Sequence, residues 1–435
     1  MTLNQSFPRI SRESLMRALH GPTRRRSKVL VSVIAALALA ILAVTLSFTS
    51  HASTPPSGPI WGTLDSQPNE AATENKAGVK MAMFELNWGS FETSNGKFSA
   101  SYVSYMQNQL AQFQAAGQKI TLGLGSHEPP SWVLKLANAT YVDQDGNVST
   151  EADWVYSAAV RAAALVFFQQ IAKDFPLTDF YAIRITSGGD GEMLYPGGGT
   201  YWAFNPSALT GNGLPVGMTK NPDPSWKPGT KGLTAAQIST WVSWYIGGLD
   251  NVTNWQMTSL TGLGFTGYYE TVTPGSGTRP DTLAQTEKAN LSNDGTTGVG
   301  AVWNLYYAAL PNKVNVIAYI SSVADQSGGN DSCQASDDTL PLTSTAMDAW
   351  SATRWISRIA VANSLLIGGE NPGYGLPSSL DSFYTNTTSA GMMVTAIAMA
   401  KSCNFTVFYW AHDIHLHDGT LPFTLYTSDI ATISG

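Results

Sequence analysis

The stretch FYAIRITSGGDGEMLYPGGG, residues 180–199, decides how the chain reads. It opens as a strand around Ile183 and Ile185, then breaks into glycines, and one carboxylate, Glu192, stands among them. A structural acid caps a helix or pairs with a base, and no basic residue lies within seven positions of Glu192. The remaining reading is an acid that faces a ligand from the end of a strand.

Seven further stretches resemble the opening strand. They are GPIWGTLDS (58–66), GVKMAMFEL (78–86), KITLGLGSH (119–127), GFTGYYETV (264–272), KVNVIAYISSV (313–323), SLLIGGEN (364–371) and FTVFYWAHD (405–413). They are continuous apolar runs, so they are buried on both faces and parallel. Helical segments lie between them. Val103, Met106, Leu110 and Phe113 share one helical face that Gly117 ends. A second helix covers 152–173, and a capping box, Thr234 to Gln237, starts another. Further helices are expected near 299–309, 344–363 and 389–402. Eight such units predict an α/β fold, a single (β/α)8 TIM barrel with loop insertions near 197–232 and 324–342. An open doubly wound sheet is disfavoured, because no Gly-x-Gly-x-x-Gly turn opens a helix.

Charged residues are 13% of the 435, about half the usual share, and Ser, Thr, Asn and 13 Trp take their place. A net charge of -7 without a basic stripe after Lys28 excludes nucleic acid as a partner. Residues 1–28 are basic at Arg24, Arg25, Arg26 and Lys28, and 29–47 carry no charge. This predicts a signal peptide cleaved near Ala52 or a membrane anchor at 29–47, with the body outside the cell. The division is therefore 1–52 signal or anchor, 53–57 linker and 58–435 barrel. A disulfide between Cys333 and Cys403 is permitted in that compartment, though spacing alone does not pair them.

In a barrel, strand ends converge on one rim. Strand two ends in Glu85, Asn87, Trp88 and Glu92, and strand three in His127, Glu128 and Trp132. Strand four ends in Asp190 and Glu192, strand five in Tyr269 and Glu270. Strand seven ends in Glu370 and Asn371, strand eight in Trp410, His412 and Asp413. Glycosidic bond cleavage needs such a set: two carboxylates, aromatic platforms and polar groups for hydroxyls.

These residues resemble the clan of (β/α)8 glycoside hydrolases whose acid/base ends strand four and whose nucleophile ends strand seven. FELNWGSFETSNGKFSASYV is similar to a β-galactosidase pattern, GSHEPPSWV to its Pro-Pro-x-Trp turn, and DGEMLYP to the β-amylase segment Gly-Glu-Leu-Arg-Tyr-Pro. The resemblance implies Glu192 as general acid/base and Glu370 as nucleophile. Tyr195, Met193 and Leu194 are expected to help raise the pKa of Glu192, and Asn371 or Tyr319 to donate hydrogen bonds to Glu370. Trp88, Asn87, His127, Glu128, Trp132, Tyr195, Glu270, Tyr319, Asn371, Trp410 and His412 are the candidate substrate contacts, for an oligo- or polysaccharide. Gly191 stands where retaining members carry Asn. The strand positions imply retention; the β-amylase-like segment and the missing Asn favour inversion. Two other readings stay open: a non-catalytic carbohydrate-binding barrel, and a metal-dependent hydrolase built on His412, His415 and His417. The leading reading needs neither metal nor cofactor.

Overall fold

The computed structural model describes residues 58–292 and 294–434. The apolar run 29–47 and the linker 53–57 lie outside the described residues. Among the described residues, no helix is long and apolar enough to cross a membrane.

Eight parallel strands close into a barrel. They are β1 (Ile60–Thr63), β2 (Met81–Glu85), β3 (Lys119–Gly123), β4 (Ala182–Ile185), β5 (Tyr268–Thr273), β6 (Val316–Ile320), β7 (Leu366–Glu370) and β8 (Val407–Trp410). Each pairs with its neighbour in sequence, and β8 returns to β1. Every stretch read as a strand contains one, so the barrel is as expected.

The helices that cover it are α1 (Ala71–Lys76), α2 (Ala100–Ala116), α3 (Ala158–Asp174), α4 (Ala235–Gly262), α5 (Trp303–Ala309), α6 (Ala352–Ala362), α7 (Met392–Ser402) and α8 (Phe423–Ser434). In α2, Met106, Leu110 and Phe113 are buried, the Ser99 hydroxyl accepts from the Tyr102 N–H, and Gly117 ends the helix at φ 77°. There only a residue tolerant of left-handed backbone fits. The Thr234–Gln237 capping box opens α4. α3 starts later than expected, because Val148–Ala152 pairs antiparallel with Thr140–Val142 and Ser157 caps the helix. The C-terminal α8 was not anticipated; its Tyr426 hydroxyl donates to the Gly62 carbonyl at 2.8 Å, fastening the chain end to β1.

Inside the barrel, side chains alternate inward with the strand period of two. Met81, Ala182, Tyr268, Ile317 and Val407 form an apolar lower layer. One period higher come Thr121, Arg184, Glu270, Tyr319 and Tyr409, and above them the rim. Neither large insertion lines the rim cleft. The 197–232 segment instead packs on α4, with Trp226 edge-on to Trp241 at 5.7 Å. The segment after β6 is tied to the end of α7 by a Cys333–Cys403 disulfide. That bridge closes a loop of 70 residues, which by chain entropy stabilises the fold by about 4 kcal/mol.

Candidate active site

The turn after β4 is built to aim one side chain. The N–H groups of Ser187 and Gly188 both donate to the Glu192 carbonyl, at 3.0 and 2.8 Å. Gly191 sits at φ 74°, which favours glycine and accounts for the residue found there. The Met193 N–H then donates to Val272 of β5 at 2.8 Å. With its backbone fixed on both sides, Glu192 reaches Ser321, just past β6, whose hydroxyl donates to Oε1 at 2.5 Å. Burial pushes the Glu192 carboxyl up to about 7; the Ser321 bond opposes this, and the charges of Glu370 and Asp190 add to it. Among the described residues, no cation offsets the burial.

Glu370 ends β7 in a different setting. Its Oε2 accepts from the Tyr319 hydroxyl and lies 3.4 Å from Arg184 Nη1. Burial raises its pKa, while Arg184, the Tyr319 bond and the His412 charge pull it back. Arg184 comes from inside β4, where a lone guanidinium among apolar residues needs partners. It has Glu370 on one side and Glu270 Oε2 at 3.4 Å on the other, and lies 4.2 Å from the Tyr319 ring centre. Glu270 also accepts from the Tyr409 hydroxyl at 2.8 Å.

The rim encloses a cleft open to solvent, with Asp65, Glu85, His127, Glu192, Glu370 and His412 in its wall. His412 Nδ1 lies 2.6 Å from Asp65 Oδ2. That contact raises the pKa of His412 and lowers that of Asp65. Two carboxyls in unlike settings, one without a neighbouring cation and one beside an arginine, can donate and accept a proton, or donate one and attack, within a single cavity.

Six of the residues singled out from sequence therefore share the cleft: Glu85, His127, Asp190, Glu192, Glu370 and His412. Tyr319 lies beneath, fully buried, bonded to Glu370. Glu270 is corrected: β5 runs on to Thr273, so Glu270 sits mid-strand, fully buried, and reaches the site only through Arg184. Asn371 is turned away from Glu370; it donates to the Pro372 and Ala411 carbonyls and accepts from the Ala411 N–H, tying β7 to β8. Tyr195 is stacked on Tyr245 at 4.0 Å, its hydroxyl bonded to the Tyr245 carbonyl, outside the cleft wall. Met193 and Leu194 do not line the cleft either.

The aromatic platforms are corrected as well. Trp88 is fully buried, stacked on Phe167 at 5.1 Å, with its indole N–H on Glu92 at 2.9 Å. Trp410 is fully buried against Tyr384 at 5.0 Å, and Trp132 packs on the core. Asn87 caps the Trp88–Phe91 turn and bonds Glu128, and neither lines the cleft. The three histidines of the 412–418 run diverge: His412 meets Asp65, His415 meets the Tyr384 hydroxyl at 3.0 Å, and His417 meets Glu74. They do not form one ligand set.

Sequence reasoning missed Arg184, Asp65 and Ser321. Arg184 left a signal: it is two residues from Ala182 and from Thr186 on one strand face, so it points inward with them.

No protein-family profile and no curated protein sequence matches the chain. Solved structures do match. The chain is similar to the catalytic domain of a β-amylase from Paenibacillus polymyxa, at 14% identity and a TM-score of 0.61, over 87% of this chain and 100% of that one. It is also similar to a β-galactosidase from the psychrophilic Marinomonas ef1, at 12% identity and a TM-score of 0.52, over 81% of this chain and 54% of that one. A β-galactosidase from the haloarchaeon Halorubrum lacusprofundi matches at 11% identity and a TM-score of 0.52, over 86% and 57%. The chain thus spans little more than half the length of the two β-galactosidases. At these identities the likeness is one of fold: the chain is a (β/α)8 barrel.

Proposed function

We propose that this barrel is a glycoside hydrolase that cleaves β-linked O-glycosidic bonds with two carboxyl groups. The observation that carries the reading is the asymmetry of the pair: Glu192 is half-buried beside a serine and other acids, with a pKa of about 7, whereas Glu370 is bonded to Arg184 and Tyr319. Environments that push two carboxyls apart assign the roles. Glu192 holds the proton and delivers it to the departing glycosidic oxygen. Glu370, whose negative charge Arg184 favours against the effect of burial, attacks the anomeric carbon. Water then enters, Glu192 takes its proton, and the sugar leaves with its configuration retained. Ser321 aims Glu192 at the leaving oxygen, and His412 with Asp65 is available to bind ring hydroxyls. The cleft grips sugar through charged and hydrogen-bonding groups, without the tryptophans expected from sequence.

A non-catalytic binding barrel has no need for such a pair. Inversion on the same two acids is the competing mechanism. The test is a panel of aryl α- and β-glycosides and oligosaccharides with the full chain, following the first-formed anomer by NMR. A retained anomer supports direct attack by Glu370. An inverted one recasts Glu370 as the base for water. Absence of hydrolysis across the panel, with oligosaccharides still bound, favours the binding barrel.

We also propose export, with residues 29–47 as signal or anchor. The Cys333–Cys403 disulfide supports an oxidising compartment. Sequencing the N-terminus of the secreted protein tests it: a start near residue 53 means cleavage, and membrane partitioning with 29–47 retained means an anchor.

A further inference from the structure

Asp413 follows the cleft residue His412 in sequence but is directed elsewhere. Its side chain is fully buried against the Glu74 carboxyl, and no N–H or hydroxyl of good hydrogen-bond geometry donates to its Oδ1. Across from it lie Glu74 of α1, also fully buried, and His417. His417 Nε2 is 3.2 Å from Glu74 Oε1 and 3.4 Å from Asp413 Oδ1, and the three atoms lie within 4.8 Å of one another.

The opposite atom of each side chain is occupied. Glu74 Oε2 accepts from Gln118 Nε2 at 3.2 Å, and Asp413 Oδ2 from the Gln67 N–H at 2.5 Å. His417 Nδ1 faces Glu70 Oε2 at 3.7 Å, and its ring packs on Phe423 at 5.0 Å. Each residue therefore presents one fixed donor atom to a common centre. A histidine whose second nitrogen faces a carboxylate is the usual arrangement of a metal-binding imidazole. Tetrahedral zinc with bonds of about 2.0–2.2 Å sets its ligand atoms roughly 3.3–3.6 Å apart. The distances of 3.2 and 3.4 Å are close to that spacing. With both carboxyls ionised the cluster carries net negative charge even with the histidine protonated, and a dication offsets it. An imidazole among the ligands favours a transition metal over calcium or magnesium.

We propose that Glu74, Asp413 and His417 bind one divalent transition-metal cation of the zinc type, with a structural role. The site lies where the barrel closes, between the segment after β1 and the segment after β8. The Asp413 N–H donates to the Leu64 carbonyl at 2.9 Å, so the cation also steadies the backbone that carries Asp65 and His412.

The test uses the untagged full chain, stripped with chelator and titrated with zinc chloride by calorimetry, with elemental analysis after gel filtration. One zinc per chain is expected, and a melting temperature higher than that of the stripped protein by about 3 °C or more. Asp413→Asn and His417→Gln should abolish binding, and His415→Ala should leave the stoichiometry at one. Two results overturn the site. One is wild-type protein that takes up no zinc, with Asp413→Asn as stable as wild type, which means that the two acids share a proton. The other is zinc uptake unchanged in both ligand variants. Should the variants not fold, the wild-type stoichiometry and its thermal shift decide alone.

Discussion

Two clusters of buried acid lie at the upper end of this barrel, and they solve the same electrostatic problem differently. In the cleft, Glu370 and Glu270 share the fixed cation Arg184, while Glu192 has none and keeps its proton near neutral pH. At the closure between β8 and β1, Glu74 and Asp413 have only the imidazole of His417. Burial raises both carboxyls there, and each raises the need for a proton or a cation. The first cluster opens to solvent through a cleft, so its unequal charges are available to a ligand. The second is closed, so its charges serve the fold. The same residue types thus become chemistry or structure according to whether a permanent cation and an opening are present.

The largest expected effect breaks the cleft cluster. Glu192→Gln and Glu370→Gln should each lower kcat by about a thousandfold or more while the melting temperature holds. Steady-state rates beside circular dichroism check this, and near-wild-type rates in either variant exclude the assignment.

Arg184→Met removes the shared cation and leaves Glu270 and Glu370 without it. Destabilisation of about 3–5 kcal/mol is expected, read from the urea midpoint at unchanged slope. A stability loss under about 1 kcal/mol would show that Arg184 does not hold the two acids.

The pH dependence separates the two carboxyls. Glu192 must be protonated to act, so kcat/KM should fall as pH rises through about 7. Asp190→Asn removes a charge that raises the Glu192 pKa, so the alkaline limb should move to lower pH; an unmoved limb would assign it to another group. The sign for stability is the same. The unfolded chain releases this proton first, so the contribution is complete below the ordinary carboxylate range and is lost as pH rises toward 7.

Smaller effects mark the edge of the cleft. Asp65→Asn removes the charged partner of His412 and should lower kcat/KM about tenfold. Glu128→Gln should change it by no more than about twofold, since Glu128 is exposed and outside the cleft wall. A large loss with Glu128→Gln would extend the working site toward the Pro129–Pro130 turn.

The sequence by itself determined what depends on near neighbours in the chain. Continuous apolar runs marked all eight strands, helical spacing in 100–116 marked a buried face, and Thr234 with Gln237 marked a helix start. Glu370 could be placed at the rim because a strand carries its last side chain there wherever its partners lie, and Glu192 because it stands in the short turn that follows β4. Only the tertiary structure decided which way side chains turn and what they meet. Arg184 meets an acid 86 residues away and another 186 away. His417 meets Glu74 across 343 residues. Asn371, one residue past Glu370, turns to bind β8, and Trp88, Tyr195 and Trp410 turn into packing. The physical reason is range. Periodicity and capping act over a few residues, whereas closing the barrel sets the register between distant strands, and that register fixes which polar groups are buried together.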